Sequence, residues 1–229
     1  MCKNFMIPFI PNGKAEVALN LVGAAVDPMT SHDKDGVGYV EAYGGTDYHV
    51  SKWLKPKDAF VHSEAYSKYD QKMIEKFGDA IHAEEIYQSF GDKVADPKAM
   101  MLHARMKTTG EIAIENVHPF DIDGSVLIHN GMISNHHSFE KKVSTCDSEA
   151  IVSNYVRLGV NYDASRIQQL AEVLTGYYAC GVLSNDITGQ QIMDIFLGNG
   201  ATLVIAQVDE LGGYVICTNQ DILREACKA

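Results

Sequence analysis

A chain of 229 residues with 46% hydrophobic and 21% charged side chains has material for one large core and little room for a second domain. Its net charge of −11 excludes the clustered basic face that nucleic acid or an anionic membrane requires; Lys55 with Lys57 and Lys141 with Lys142 are isolated. Apolar runs fall well short of the ~20 residues of a transmembrane helix, and residues 1–10 lack the small-residue cleavage site of a signal peptide. Five cysteines (2, 146, 180, 217 and 227), odd in number and without metal-type spacing, suit free thiols in a reducing compartment, so a cytoplasmic protein is expected.

In chain order, Ala15, Ala18, Leu19 and Val22 recur at helical spacing and predict a helix over 14–26. A strand over 37–43 follows the polar turn Asp33-Lys-Asp-Gly36, and the mixed-charge stretch 64–90 reads as mostly helical. Residues 99–106 predict a strand that carries Met101, His103 and Arg105 on one face. Ser125–His129 predicts another, ending in Asn130-Gly131, a turn dipeptide.

Between Asp147 and Leu158 a stripe of Ile151, Val152, Tyr155 and Val156 predicts a helix, with Ser144 and Asp147 spaced like a capping box. A further helix over 165–174 stops before Gly176, and 201–208 with 214–218 form a hairpin across Gly212-Gly213. Strands joined by hairpin-like connections favour antiparallel sheets flanked by helices over a doubly wound parallel sheet. Nothing resembling a linker divides the chain, so 1–229 reads as a single domain.

Cys2 follows the initiator methionine, and a small side chain there favours removal of Met1. A free α-amine, of pKa ~7.7–8, then sits on the same residue as a thiol of pKa ~8.5 and serves as its base. Met-Cys alone is commonplace; its weight comes from four segments further along the chain. His103-Ala-Arg-Met-Lys-Thr-Thr-Gly110 precedes Asn116-Val-His-Pro-Phe120, then Ile128-His-Asn-Gly-Met-Ile-Ser-Asn135, then Ser144-Thr-Cys-Asp-Ser-Glu149. With Met-Cys at the start and Asp35-Gly-Val-Gly38 between, this order resembles the glutaminase domain of class II glutamine amidotransferases, over roughly residues 1–160 and closest to stand-alone members.

The resemblance implies an α+β fold, the four-layer αββα sandwich of the N-terminal-nucleophile hydrolases: two antiparallel sheets flanked by helices, with Cys2 at the end of a central strand. It implies Cys2 as nucleophile, and Asn130 and Gly131 as oxyanion donors, one through its side chain and one through its backbone. Arg105 would bind the substrate carboxylate, its planar fork suiting two oxygens, and Asp147 the α-ammonium, with Thr108 or Thr109 adding contacts. Singly, each reads otherwise: Asn130-Gly131 as an ordinary hairpin turn, Arg105 as a strand residue paired to an acid, Asp147 as a helix-start residue. Jointly, the ordered motifs favour the ligand reading.

His103, Asn116, His118 and His129 read as framework, since Cys2 brings its own base; Asp35 and Gly36 read as a turn, and Gly110 as a close backbone turn behind the pocket. His136-His137 has no third ligand at metal spacing, and no organic cofactor is implied. Cys146 is a distant second nucleophile. The chain departs from fused members of the family at Lys3, Met106 and Thr109 and in its short 135–144 segment, which touches the pocket wall and lid.

The function implied is hydrolysis of the glutamine side-chain amide through a γ-glutamyl thioester, with a separate synthase or ligase as partner for the ammonia. Two alternatives stand beside it: a γ-glutamyl hydrolase acting on a peptide or conjugate, and a non-catalytic glutamine-binding module.

Overall fold

The computed structural model describes residues 2–30, 35–54, 96–108, 110–141, 143–159 and 165–228. The expected helical stretch 64–90 and Thr109 lie outside them.

The first strand, β1 (Lys3–Ile7), alternates between two cores, with Phe5 and Ile7 on one face and Met6 on the other. The helix expected near residue 14 is α1 (Ala15–Thr30), which buries Ala18, Leu21, Val22, Ala25 and Met29. β2 (Gly36–Gly44) and β3 (Asp47–Trp53) form a hairpin, of which the sequence reading anticipated only the first strand. β4 (Ala99–Arg105) runs as expected, and its pairing with β1 sets Asn4 beside His103 and Phe5 beside Leu102. β5 (Phe120–Ile122) and β6 (Ser125–Ile133) follow.

Here one expectation fails. Asn130 and Gly131 are not a turn; they lie inside β6 and pair with Ala179 and Tyr178 of β7 (Gly176–Asn185). The turn is at Asp123-Gly124 instead, where both residues take positive φ. Asn-Gly favours a turn only locally, and a sheet register extending on both sides overrides that preference. Gly176, expected to do no more than stop a helix, opens β7.

The helices α2 (Ser148–Arg157) and α3 (Ser165–Val173) match the predicted stripes. The capping pair does not. Ser144 bonds Glu149, whose carboxylate accepts from Val143 N (3.0 Å), Ser144 N (2.7 Å) and Ser144 Oγ (2.7 Å), while Asp147 makes no side-chain cap. β8 (Gln191–Gly198) follows β7; the expected hairpin is β9 (Val204–Val208) with β10 (Gly213–Cys217), and α4 (Gln220–Ala226) is capped by the Asn219 side chain.

The strands make a six-stranded sheet, β3-β2-β4-β1-β10-β9, and a four-stranded sheet, β5-β6-β7-β8, with antiparallel pairings throughout. α1 and α4 cover the outer face of the first, and α2 and α3 the outer face of the second. Met6, Val40, Met101, Val126, Ile128, Leu183 and Ile216 fill the layer between the sheets. This is the four-layer αββα sandwich, with β1 interior to the larger sheet. Among the described residues no helix is long and apolar enough to cross a membrane.

Gly38 marks where another segment presses on the larger sheet. A Cβ there would lie 1.6 Å from the His118 carbonyl oxygen, in backbone that cannot yield. Gly38→Ala should therefore destabilise the fold by about 3 kcal/mol, as overpacking against backbone does. Urea unfolding measures this, and a loss under about 1 kcal/mol would show that the segment moves aside freely.

Candidate active site

The inner faces of the two sheets diverge in character along their length. At one end they are apolar; at the other the same alternation brings Cys2 and Asn4 of the β1 side, and His103 and Arg105 of β4, toward Asn130 on β6, while the His129 side chain turns outward to α2.

Cys2 sits against the end of β4. Its thiol donates to the Met106 carbonyl (3.2 Å), and the Met106 N–H donates back to Sγ (3.3 Å). The expected nucleophile is thereby next to the backbone that follows Arg105. Arg105 is buried to 2% exposure, as is Asp147. Their charges converge on one neighbourhood: burial pushes the Cys146 thiol up, Asp147 raises it further, and Arg105 acts in the opposite sense. Both charges are thus buried, and both are felt at Cys146. A buried thiol held in its protonated form is a poor nucleophile, which disfavours Cys146 in that role.

Asp147 is fixed as it enters α2. Its Oδ2 accepts from the Ile133 N–H (2.7 Å), tying the start of α2 to the end of β6, two residues beyond Gly131. Asn116, expected to be framework, is the brace between motifs. It donates to the Glu111 carbonyl (3.1 Å) and to Thr145 Oγ1 (3.0 Å) and accepts from the Thr145 N–H (2.9 Å), joining the loop after β4 to the segment leading to Asp147. Gly110 turns with φ 75° against these same groups; a Cβ there would lie 2.8 Å from Thr145 Oγ1. Thr108 is exposed in that loop. Asp35 also meets it, accepting from the Lys107 N–H.

Gly131 has φ 153°, and a Cβ would lie 2.1 Å from the Tyr177 carbonyl oxygen, so this position takes only glycine. Asn130 is only part-exposed, and among the described residues no donor reaches its buried Oδ1. His136 neighbours Lys141 (3.1 Å) and stacks on His137 at 3.8 Å. Among the described residues no His, Cys, Asp and Glu cluster has the arrangement of a metal site.

Three histidines lie behind the site. His103 Nε2 donates to the His129 carbonyl (3.1 Å), His118 stacks on His103 at 3.9 Å, and His129 Nδ1 shares a hydrogen bond with Ser148 Oγ (2.8 Å). The sequence reading placed His103, His118 and His129 in the framework and took Ser148 and Glu149 only as part of a motif, since their bonds to His129 and to residues 143–144 appear only in the fold.

No family model matches the chain. Over 127 residues it is 28% identical to a glutamine–fructose-6-phosphate aminotransferase (isomerizing) of Xylella fastidiosa, an alignment taking in 48% of this chain and 21% of that protein. Among solved structures, a glutamine phosphoribosylpyrophosphate amidotransferase from B. subtilis, complexed with ADP and GMP, superposes with a TM-score of 0.60 at 16% identity, over 99% of this chain and 43% of the other. A structure described as the allosteric regulatory enzyme of purine biosynthesis gives the same figures. The chain thus spans less than half the length of each. The sequence relative supports the resemblance read from the motifs, and the solved structures share the fold: the chain is related to the class II glutamine amidotransferases of the N-terminal-nucleophile type.

Burial holds His103 down to about 3 and His129 down to about 4, and it drives His118 well below the usual histidine value. In the unfolded chain each would take a proton near pH 6.5. The stability contributed by keeping them neutral is therefore whole above pH 6.5 and is lost as pH falls toward 4. Each accounts for about 1.4 kcal/mol per pH unit, so the three give a slope of about 4 kcal/mol per unit between pH 6 and 4.5. Urea unfolding across that window should show this slope, reduced by about a third in His118→Gln. A flat profile would mean that the folded protein accepts these protons.

Proposed function

We propose that the chain is a glutamine-hydrolysing enzyme of the class II amidotransferase kind, active once Met1 is removed. The observation that carries this reading is the Cys2 thiol lodged against Met106, one residue beyond the buried Arg105, with a buried Asp147 held at the start of α2 by the end of β6. On this reading Cys2 is the nucleophile, and Arg105 and Asp147 are the two ends of a zwitterion clamp.

The chemistry follows from those parts. The freed α-amine of Cys2 takes the thiol proton, and the thiolate attacks the side-chain carbonyl of glutamine. Negative charge develops on the carbonyl oxygen, where the Asn130 side-chain amide and the Gly131 N–H serve as donors. The C–N bond breaks, the amine-held proton goes to the leaving nitrogen, and ammonia departs. Water then attacks the γ-glutamyl thioester, the C–S bond breaks, and glutamate leaves with the thiol restored. Arg105 holds the substrate α-carboxylate and Asp147 its α-ammonium, with Thr108 adding a contact at the carboxylate end. The ammonia passes to a separate synthase or ligase, and the free thiols fit a reducing cytoplasm.

Intact mass of the purified protein, before and after a diazo-ketone analogue of glutamine, tests this reading. Loss of Met1 and a single adduct at Cys2, absent in Cys2→Ala, is expected; retained Met1 or an unlabelled Cys2 would overturn it. Ammonia release measured against release of a larger amine from γ-glutamyl conjugates separates glutamine from conjugates as substrate.

Arg105→Lys keeps the charge but loses the fork, and it should raise KM for glutamine about tenfold while changing kcat little. Asp147→Asn should raise KM by about 10- to 100-fold, the range of a charged hydrogen bond lost. Steady-state kinetics decide both, and an unchanged KM in either variant removes that residue from the clamp.

A further inference from the structure

We infer that Asn4, with His103 beside it, is a positioning residue that sets the gap between the nucleophile strand and the strand carrying Asn130. The inference rests on the chain being a glutamine amidohydrolase.

Asn4 and His103 are register partners on β1 and β4, two residues from Cys2 and Arg105 respectively on the same inner face. Each reaches across to the other sheet. The Asn4 side chain donates to the Ala179 carbonyl (2.9 Å), and His103 donates to the His129 carbonyl (3.1 Å). Those two carbonyls bracket Asn130: His129 precedes it in β6, and Ala179 is its register partner on β7. Asn4 is itself pinned from the other side, its backbone N–H donating to Thr218 Oγ1 (3.0 Å) and its carbonyl accepting from the Thr218 N–H (3.1 Å). A row of two donors on one sheet thus locks to a row of two carbonyls on the other, one step behind the reacting groups.

The apolar rest of the layer sets this distance less sharply. It is filled by Met6, Val40, Met101, Val126, Ile128, Leu183 and Ile216, whose contacts have no directional optimum, and the two methionines adapt their shape to the gap. A hydrogen bond has a short, directional optimum. Asn4 also carries a cost that a space-filling residue would avoid, since it is fully buried and no donor among the described residues reaches its Oδ1. An apolar side chain would fill the position without that cost, so the donor is what the position retains. His103, kept neutral by burial, supplies its N–H at Nε2. An oxyanion donor displaced by about 1 Å loses on the order of a hundredfold in rate, so a gauge at this place acts on turnover more than on binding.

The test compares Asn4→Leu, His103→Leu and His103→Gln, the last placing an amide N–H near where Nε2 stood. Three readouts are taken: hydrogen exchange of amides in 129–133 and 177–181 against those of α1, alkylation of Cys2 by iodoacetamide, and glutamine kinetics. Asn4→Leu and His103→Leu should speed exchange in those strand segments about tenfold and leave α1 unchanged. They should keep iodoacetamide alkylation within about twofold and lower kcat by about 10- to 100-fold with KM within about threefold. His103→Gln should stay within about threefold of wild type in kcat. Unchanged exchange with Asn4→Leu, or an iodoacetamide rate that falls in step with turnover, would overturn the assignment. Absence of ammonia release by the wild type would instead defeat the amidohydrolase reading, and the exchange experiment would still decide the role of Asn4.

Discussion

Everything in this molecule depends on two antiparallel sheets meeting face to face across a layer that is apolar at one end and polar at the other. Strand alternation decides which side chains enter that layer, and register decides which of them meet. Cys2, Arg105, Asn130 and Asp147 are far apart in sequence, yet each is placed by a strand or by a helix end tied to a strand. The candidate site is thus a property of sheet pairing more than of any loop, and the proposed mechanism would use that rigidity to hold donors in place before charge develops.

Polar groups buried around the candidate site carry a desolvation cost, and the structure meets much of it with backbone partners. Asp147 takes the Ile133 N–H, Asn116 takes the Thr145 N–H, and Glu149 takes those of Val143 and Ser144. The Asp147 and Asn116 bonds also join separate segments of the chain, so the same contacts that make burial tolerable fix the loops around Arg105 and Asp147. Gly131 and Gly38 contribute in a different way, by having no side chain where another backbone must pass.

The sequence made the helices legible, because the apolar stripes of α1, α2 and α3 are strongly periodic. It made β4 and the β9–β10 hairpin legible by composition and turn residues. It misjudged Asn130-Gly131, since local turn preference pointed one way and a register spanning β6 and β7 the other. The β7 strand escaped notice because Gly176-Tyr-Tyr-Ala-Cys-Gly has no clear alternation, being buried on both faces along much of its length, and β8, half-buried along most of its length, escaped with it. Asp147 lies at the helix start where the apolar stripe puts it, without the expected cap, and its bond to Ile133 cannot be read from spacing. Asn4 carried no signal at all; its meaning lies in the carbonyl it reaches 175 residues away.

The place of β1 has a consequence for folding. It lies between β4 and β10, with Phe5 opposite both Leu102 and Cys217. Neither neighbour is close to it in sequence, so local hairpins cannot close the larger sheet, and one edge of β1 stays open until residues 213–217 reach it. Such long-range pairing makes for slow assembly and leaves an open strand edge to shield in the meantime.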